Sequence, residues 1–209
     1  MRPIQKVLTT ILWGLMVLAM VSVIGARLWQ RGPDQREELP VLADAPAFSL
    51  TDQDAKPITL ASLKGKPWIA DFVFTHCAGP CPLMTAKMAR LQRELPSPNL
   101  HFVSFSVDPE RDTPPVLKEY AAKFQAEESR WRFLTGPADA IFATAKGMLL
   151  TAIPANESSP IIHSTKFVLV DGEGRIRQYY DYNDAGQMKA LVQDAKALAI
   201  QESRPAPMR

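Results

Sequence analysis

Read from its amino terminus, the chain opens on one uninterrupted apolar run. Val7 to Ala26 carries no charged residue and is bracketed by Lys6 and Arg27. About twenty apolar residues at a 1.5 Å rise match one bilayer span, so residues 1–31 are expected to form an N-terminal transmembrane helix and membrane anchor. The competing reading is a cleaved signal peptide. Against it, the run is longer than an apolar signal region of about 7–15 residues and lacks an A-x-A pattern. No cysteine follows it, which excludes lipoprotein processing. Arg2 and Lys6 precede the span while Arg27, Arg31 and Arg36 follow it, so charge alone does not orient it. Residues 32–47, rich in Pro, Asp and Glu, read as a solvated linker.

From Phe48 the pattern becomes that of a folded domain, 48–201. Phe48 to Leu60 alternates around T-D-Q-D-A-K-P, which predicts two short strands and a turn, and Leu63 to Pro67 is a second turn. Trp68 to Phe74 is a continuous apolar stretch that predicts the first central strand. Met84, Met88, Leu91 and Leu95 recur at helical spacing behind a proline at the first helical position, Pro82, and that helix ends before Pro96 and Pro98. Leu100 to Val107 predicts the next strand. Asp112-Thr113-Pro114-Pro115 reads as a cap and first turn for a helix through Val116, Leu117, Tyr120, Ala121 and Phe124.

Beyond it lie a short strand at Trp131 to Leu134, a helix at Ala138 to Met148 and a loop at Thr151 to Ile162 broken by Pro154 and Pro160. Strands Lys166 to Val170 and Ile176 to Tyr180 flank Asp171-Gly172-Glu173-Gly174 as a hairpin. Asp184 opens a last helix through Met188, Leu191, Val192 and Leu198, and residues 202–209 form a frayed tail. Strands alternating with helices, then a hairpin and a helix, predict an α/β mixed sheet covered on both faces. Sites in such sheets form beyond the carboxyl ends of the strands.

Composition narrows the function. An apolar fraction of 46% suits a globular core, and a formal net charge of +2, with no basic stripe interleaved with aromatics, argues against nucleic-acid binding. Only two cysteines are present, Cys77 and Cys81. They cannot build a disulfide scaffold, so they are judged as a site. A disulfide closing so short a loop would stabilise by roughly 2 kcal/mol, little for a domain with its own core. Lying where a strand turns into a helix, the thiols are expected to feel the positive end of the helix macrodipole, which favours thiolate.

A C-x-x-x-C spacing lets two sulfurs converge on one centre. A cluster of iron and sulfur needs four ligands, whereas two sulfurs and one nitrogen suit copper best. Three histidines are available. His76 adjoins Cys77 but, in an extended strand, would point to the opposite face. His101 opens an apolar strand and reads as a core or edge residue. His163, in the loop ahead of Lys166, is the one that a parallel-sheet fold could bring to the cysteines. Met84 and Met88 lie at core spacing rather than as further soft ligands.

Three blocks together resemble the Sco (SenC) family of copper-binding, thioredoxin-like proteins that serve cytochrome c oxidase assembly. They are F-T-H-C-A-G-P-C-P at Phe74 to Pro82, S-V-D-P-E-R-D-T-P at Ser106 to Pro114, and H-S-T-K-F-V-L-V-D-G-E-G at His163 to Gly174. The resemblance implies a thioredoxin-like sheet flanked by helices, one copper ion ligated by Cys77, Cys81 and His163, and Asp108 orienting the site from behind. It also implies a single-pass protein of the bacterial inner membrane whose soluble domain faces the periplasm. Its partners would be the copper-site subunit of the oxidase and an upstream copper donor or thiol reductant. One departure is local: the family usually places proline directly after the first cysteine, where this chain has Ala78, with Pro80 before Cys81.

The expected function is therefore a copper chaperone for the dinuclear copper site of the oxidase. The alternative is a thiol–disulfide oxidoreductase that reduces the oxidase subunit's cysteines. Such enzymes generally carry a proline just ahead of the strand near Lys166, and here the nearest, Pro160, is too early. A thiol peroxidase would need a cation beside one cysteine, for which His76 is a weak substitute.

Overall fold

A computed structural model of the chain describes residues 3–30, 39–77, 79–153 and 162–203, with side chains described over 8–27, 39–77, 79–152 and 164–203. The chain divides into two units at Glu38 and Leu39. The first contains α1 (Pro3–Gln30), of which Leu8–Arg27 is long and apolar enough to cross a membrane.

The second unit begins earlier than the linker reading expected. Ala43–Asp44 forms β1, and Arg177 donates to the carbonyls of Leu39 and Pro40, so the last part of the 32–47 segment is tied into the folded unit. There follow β2 (Ser49–Asp52), β3 (Pro57–Thr59) and a single helical turn α2 (Leu60–Leu63), capped by reciprocal hydrogen bonds between Thr59 and Ser62. Next come β4 (Trp68–Val73), α3 (Pro80–Glu94), β5 (His101–Ser106), α4 (Pro114–Lys123), β6 (Trp131–Thr135) and α5 (Ala138–Gly147). The segment expected as loop from Thr151 contains β7 (Ala152–Ile153), which pairs with β8 (Ile162–His163). The chain continues through β9 (Lys166–Val170), β10 (Arg175–Asp181) and α6 (Ala185–Ser203). The expected frayed tail is helical as far as Ser203, and the rest of it lies outside the described residues.

Eight strands form one mixed sheet in the order β1-β10-β9-β4-β5-β6-β2-β3. β4, β5 and β6 run parallel, and β9 flanks β4 antiparallel. The alternation of a strand's side chains splits the core into two layers. Ile69, Val73, Phe102, Phe133 and Leu169 pack with α3, α4 and α6, whereas Trp68, Ala70, Phe72, Phe105 and Val168 pack with α5 and the β2 region. Met84 and Met88 are fully buried in the first layer, as core packing predicts.

Two polar anchors hold the ends of this frame. Asp171 accepts from the Glu173 and Arg175 amides and from both Arg175 and Arg177 guanidinium groups, closing a turn in which Gly174 adopts φ 86°. Arg130 donates to the carbonyls of Gln92, Leu95 and Ser97, satisfying acceptors that the carboxyl end of α3 would otherwise leave unpaired.

Candidate metal centre

The cysteine loop is built where β4 leaves the sheet. The backbone turns back at Phe74–Cys77, with the Cys77 amide donating to the Phe74 carbonyl at 3.4 Å. Thr75 and His76 occupy the corners of this turn. His76 is therefore not on an extended strand, and the expectation that it must face away from Cys77 does not apply.

Helix α3 starts two residues earlier than expected, at Pro80 after Gly79. Cys81 thereby lies inside the first turn and points into the core, with no measurable exposure, while Cys77 stays half-buried at the mouth. No disulfide joins them. Their side chains are hydrogen-bond partners, and the Gly79 amide donates to Cys77 Sγ at 3.4 Å. The expectation of a dipole-primed thiolate is reversed at Cys81. Burial, then the hydrogen bond to Cys77, pushes its thiol above the ordinary range. A helix end contributes about 0.3–1 kcal/mol, less than one pKa unit, so desolvation wins.

Asp71 lies on the same face of β4 as Ile69 and Val73, the face that packs against α3. Its carboxyl is fully buried and neither oxygen has a hydrogen-bond partner. Ser104, its register neighbour on β5, accepts from Trp131 Nε1 at 3.0 Å and keeps its own hydroxyl hydrogen to turn toward Asp71. Burial pushes the Asp71 carboxyl up to about 7, against the opposing pull of the Ser104 hydroxyl. Asp71 in turn raises Cys81 and Tyr120 electrostatically, after the larger effect of their own burial.

The second block approaches the loop from the end of β5, where the Val107 amide donates to the Val73 carbonyl at 3.0 Å. Asp108 comes next in the chain and is buried. Its carboxylate pairs with Arg111 at 2.5 Å, and its amide donates to Ser106 Oγ at 3.1 Å. The bonds to the cysteine loop are accepted by Asp112, from Thr75. Rather than capping α4, whose N-cap is Thr113 without a side-chain cap bond, it accepts from Ser106 Oγ (2.5 Å), the Thr75 amide (3.1 Å) and Thr75 Oγ1 (2.5 Å). The two blocks are thus stitched through Asp112.

The third block places the His163 backbone in β8 opposite Ala152, and the next amide, Ser164, donates to the Thr151 carbonyl at 2.7 Å. The His163 side chain lies outside the described residues, as do Ala78 and Pro160. His101 is removed from consideration. It starts β5, level with Trp68, at the end of the sheet opposite the cysteines and roughly 17 Å away by strand rise. Desolvation, with Lys66, Arg132 and Arg130 nearby, holds its ring down at about 4. Among the described residues no three His, Cys, Asp or Glu side chains form a cluster fit for a metal ion. The donor set the described side chains offer is two soft sulfurs, which suits copper(I) and leaves room for a third ligand.

Sequence reasoning passed over Asp71, Thr75 and Asp112. An acid inside the apolar run I-A-D-F-V-F was the available signal for the first. The second aspartate of S-V-D-P-E-R-D, Asp112, reads by its local pattern as a helix cap.

Residues 38–199 match the family model described as SCO1/SenC. The SCO1 protein homolog of Bacillus subtilis is 36% identical over 163 residues, covering 76% of this chain and 84% of that protein. The structure of BsSco, a Sco-family cytochrome c oxidase assembly protein with an identified disulfide switch, has a TM-score of 0.70 and 34% identity over 79% of this chain and 99% of that one. That of Bradyrhizobium japonicum ScoI with copper bound has a TM-score of 0.63 and 28% identity, covering 75% and 99%. The sheet flanked by helices seen here is their thioredoxin-like fold.

Proposed function

The chain belongs to the SCO1/SenC family, and on that premise we propose that it is a membrane-anchored copper chaperone for cytochrome c oxidase. One copper ion is held by Cys77, Cys81 and His163 and is passed by ligand exchange to the dinuclear copper site of an oxidase subunit. The soluble unit works on the periplasmic face of a bacterial inner membrane. The observation that carries this reading is the pair of reduced, mutually hydrogen-bonded thiols beyond the carboxyl end of β4, one sealed in the core and one at the mouth. The copper-bound ScoI relative supports the choice of metal.

Loading requires both thiols to lose their protons. The Cys81 proton is held tightly by burial, so metal binding itself must supply the driving force for its release. Asp112, through Thr75, keeps the mouth of the loop in one shape while this happens. Oxidation of the pair to a disulfide removes two electrons and two protons and leaves no thiolate for the metal, which couples delivery to redox state. The test is to mix the copper-loaded full chain with an apo copper-site subunit. Transfer of one ion per chain to the subunit, read by metal analysis after separation and by the dinuclear-copper absorption once the filled site is oxidised by one electron with ferricyanide, supports delivery; copper remaining on the chain contradicts it.

A second reading, a thiol–disulfide oxidoreductase acting on the subunit's cysteines, is favoured by the asymmetry of exposure. A half-exposed Cys77 suits attack and a buried Cys81 suits resolution. Turnover of the oxidised subunit by His163→Ala at the wild-type rate, with no copper dependence, would favour that reading.

A further inference from the structure

Counting protons around Asp112 fixes the state of a residue that the copper site as proposed leaves unused. Ser106 Oγ has one hydrogen and gives it to Asp112 Oδ2. Thr75 Oγ1 also has one, and gives it to Asp112 Oδ1 at 2.5 Å. The same Thr75 oxygen lies 3.0 Å from His76 Nδ1. With its hydrogen already committed to the carboxylate, the hydroxyl has only lone pairs left for the ring, so His76 Nδ1 must be the donor. In the neutral form in which an imidazole ligates a metal, a hydrogen on Nδ1 leaves the lone pair on Nε2. The ring is exposed, and it stands at a turn corner one residue from Cys77.

A buried carboxylate acting through an intermediate group on one imidazole nitrogen, leaving the other for a cation, is how proteins orient histidine ligands. We propose that His76 is a transfer ligand at the mouth of the site: its Nε2 takes copper(I) from the Cys77 thiolate and returns it, with Asp112 and Thr75 as positioning residues for the ring. In the outward step the Cu–Sγ bond of Cys77 breaks as the Cu–Nε2 bond forms. No electron changes hands, Nδ1 keeps its hydrogen, and the released thiolate takes a proton from water. This inference rests on the copper reading above. It adds a route by which an ion gripped partly in the core reaches an acceptor without leaving protein ligands.

The test uses the full-length reduced protein in detergent micelles. In the apo protein, two-bond proton–nitrogen spectra of labelled histidine should give His76 the Nδ1–H tautomer. Thr75→Val should abolish that preference and Thr75→Ser should retain it. After loading with copper(I), withdrawal of the ion by bicinchoninate should be about tenfold slower in His76→Ala and Thr75→Val, the rate changing by far more than the equilibrium affinity, with Thr75→Ser matching wild type. Unchanged withdrawal rates, an Nε2–H tautomer in the wild type, or an affinity loss in His76→Ala as large as in Cys77→Ala would each overturn the assignment. Wild-type protein that takes up no copper(I) would bring down the copper reading and this inference with it. Normal uptake with an unchanged rate would bring down this inference alone.

Discussion

Asp71 on β4 raises the pKa of Cys81 on α3, adding a buried acid's influence to a thiol that burial already holds protonated. The pairing places two reluctant acids in one dry layer of the core. Keeping Asp71 costs stability whenever it is ionised, and this gives the first prediction.

Burial lifts the Asp71 carboxyl from 3.8 to about 7. The folded state therefore binds the extra proton between those values, and stability falls as pH rises from about 4 to about 7, then levels off. Asp71→Asn removes the effect. The full-length reduced variant should gain little at pH 4 and up to about 4 kcal/mol at pH 8, in urea denaturation of wild type and variant side by side. A difference that does not change with pH would contradict the assignment.

The two thiols should differ sharply toward alkylation. Cys81 is sealed and its pKa is pushed up by burial, whereas Cys77 is half-exposed and receives the Gly79 amide. Iodoacetamide at pH 8 should modify Cys77 at least about tenfold faster, read by peptide mass mapping over time, since reactivity follows thiolate population and access. Equal rates would mean that the helix start, and with it the burial of Cys81, is misplaced.

Arg130 is nearly buried and serves three backbone carbonyls at the end of α3. Arg130→Ala should destabilise by roughly 2–4 kcal/mol through lost charge-assisted bonds and stranded acceptors. Because Arg130 sits at the far end of α3 from Cys81, copper affinity of the folded fraction should stay at the wild-type value. An affinity loss matching the stability loss would show that α3 transmits strain to the site.

The elements were legible where packing and periodicity agree. Met84, Met88, Leu91 and Leu95 marked the inner face of α3, and Lys166 to Tyr180 marked the last hairpin, because buried faces must repeat every 3.6 or every 2 residues. Contacts between blocks were not legible. Asp112 obeys the local rule for a helix cap, yet its carboxylate is spent on two donors of Thr75, 37 residues away, and on the buried Ser106 hydroxyl, and three donors outweigh a single amide at α4. Asp71 was invisible for a similar reason. Its neighbours all fit a buried strand, and the burial that makes it unusual exists only once α3 has closed over β4. Proline preference located the start of α3 to within two residues, but those two residues decide whether Cys81 faces the solvent or the core.

The central claim, that Cys77, Cys81 and His163 grip one copper ion, is tested most directly by competition titration of copper(I) against bicinchoninate. The reduced full-length chain is compared with its Cys77→Ala, Cys81→Ala and His163→Ala variants. One ion per wild-type chain, no competitive binding in either cysteine variant and an affinity at least about a hundredfold weaker in His163→Ala are the predicted results. A His163→Ala variant that binds copper(I) as tightly as wild type would contradict the account.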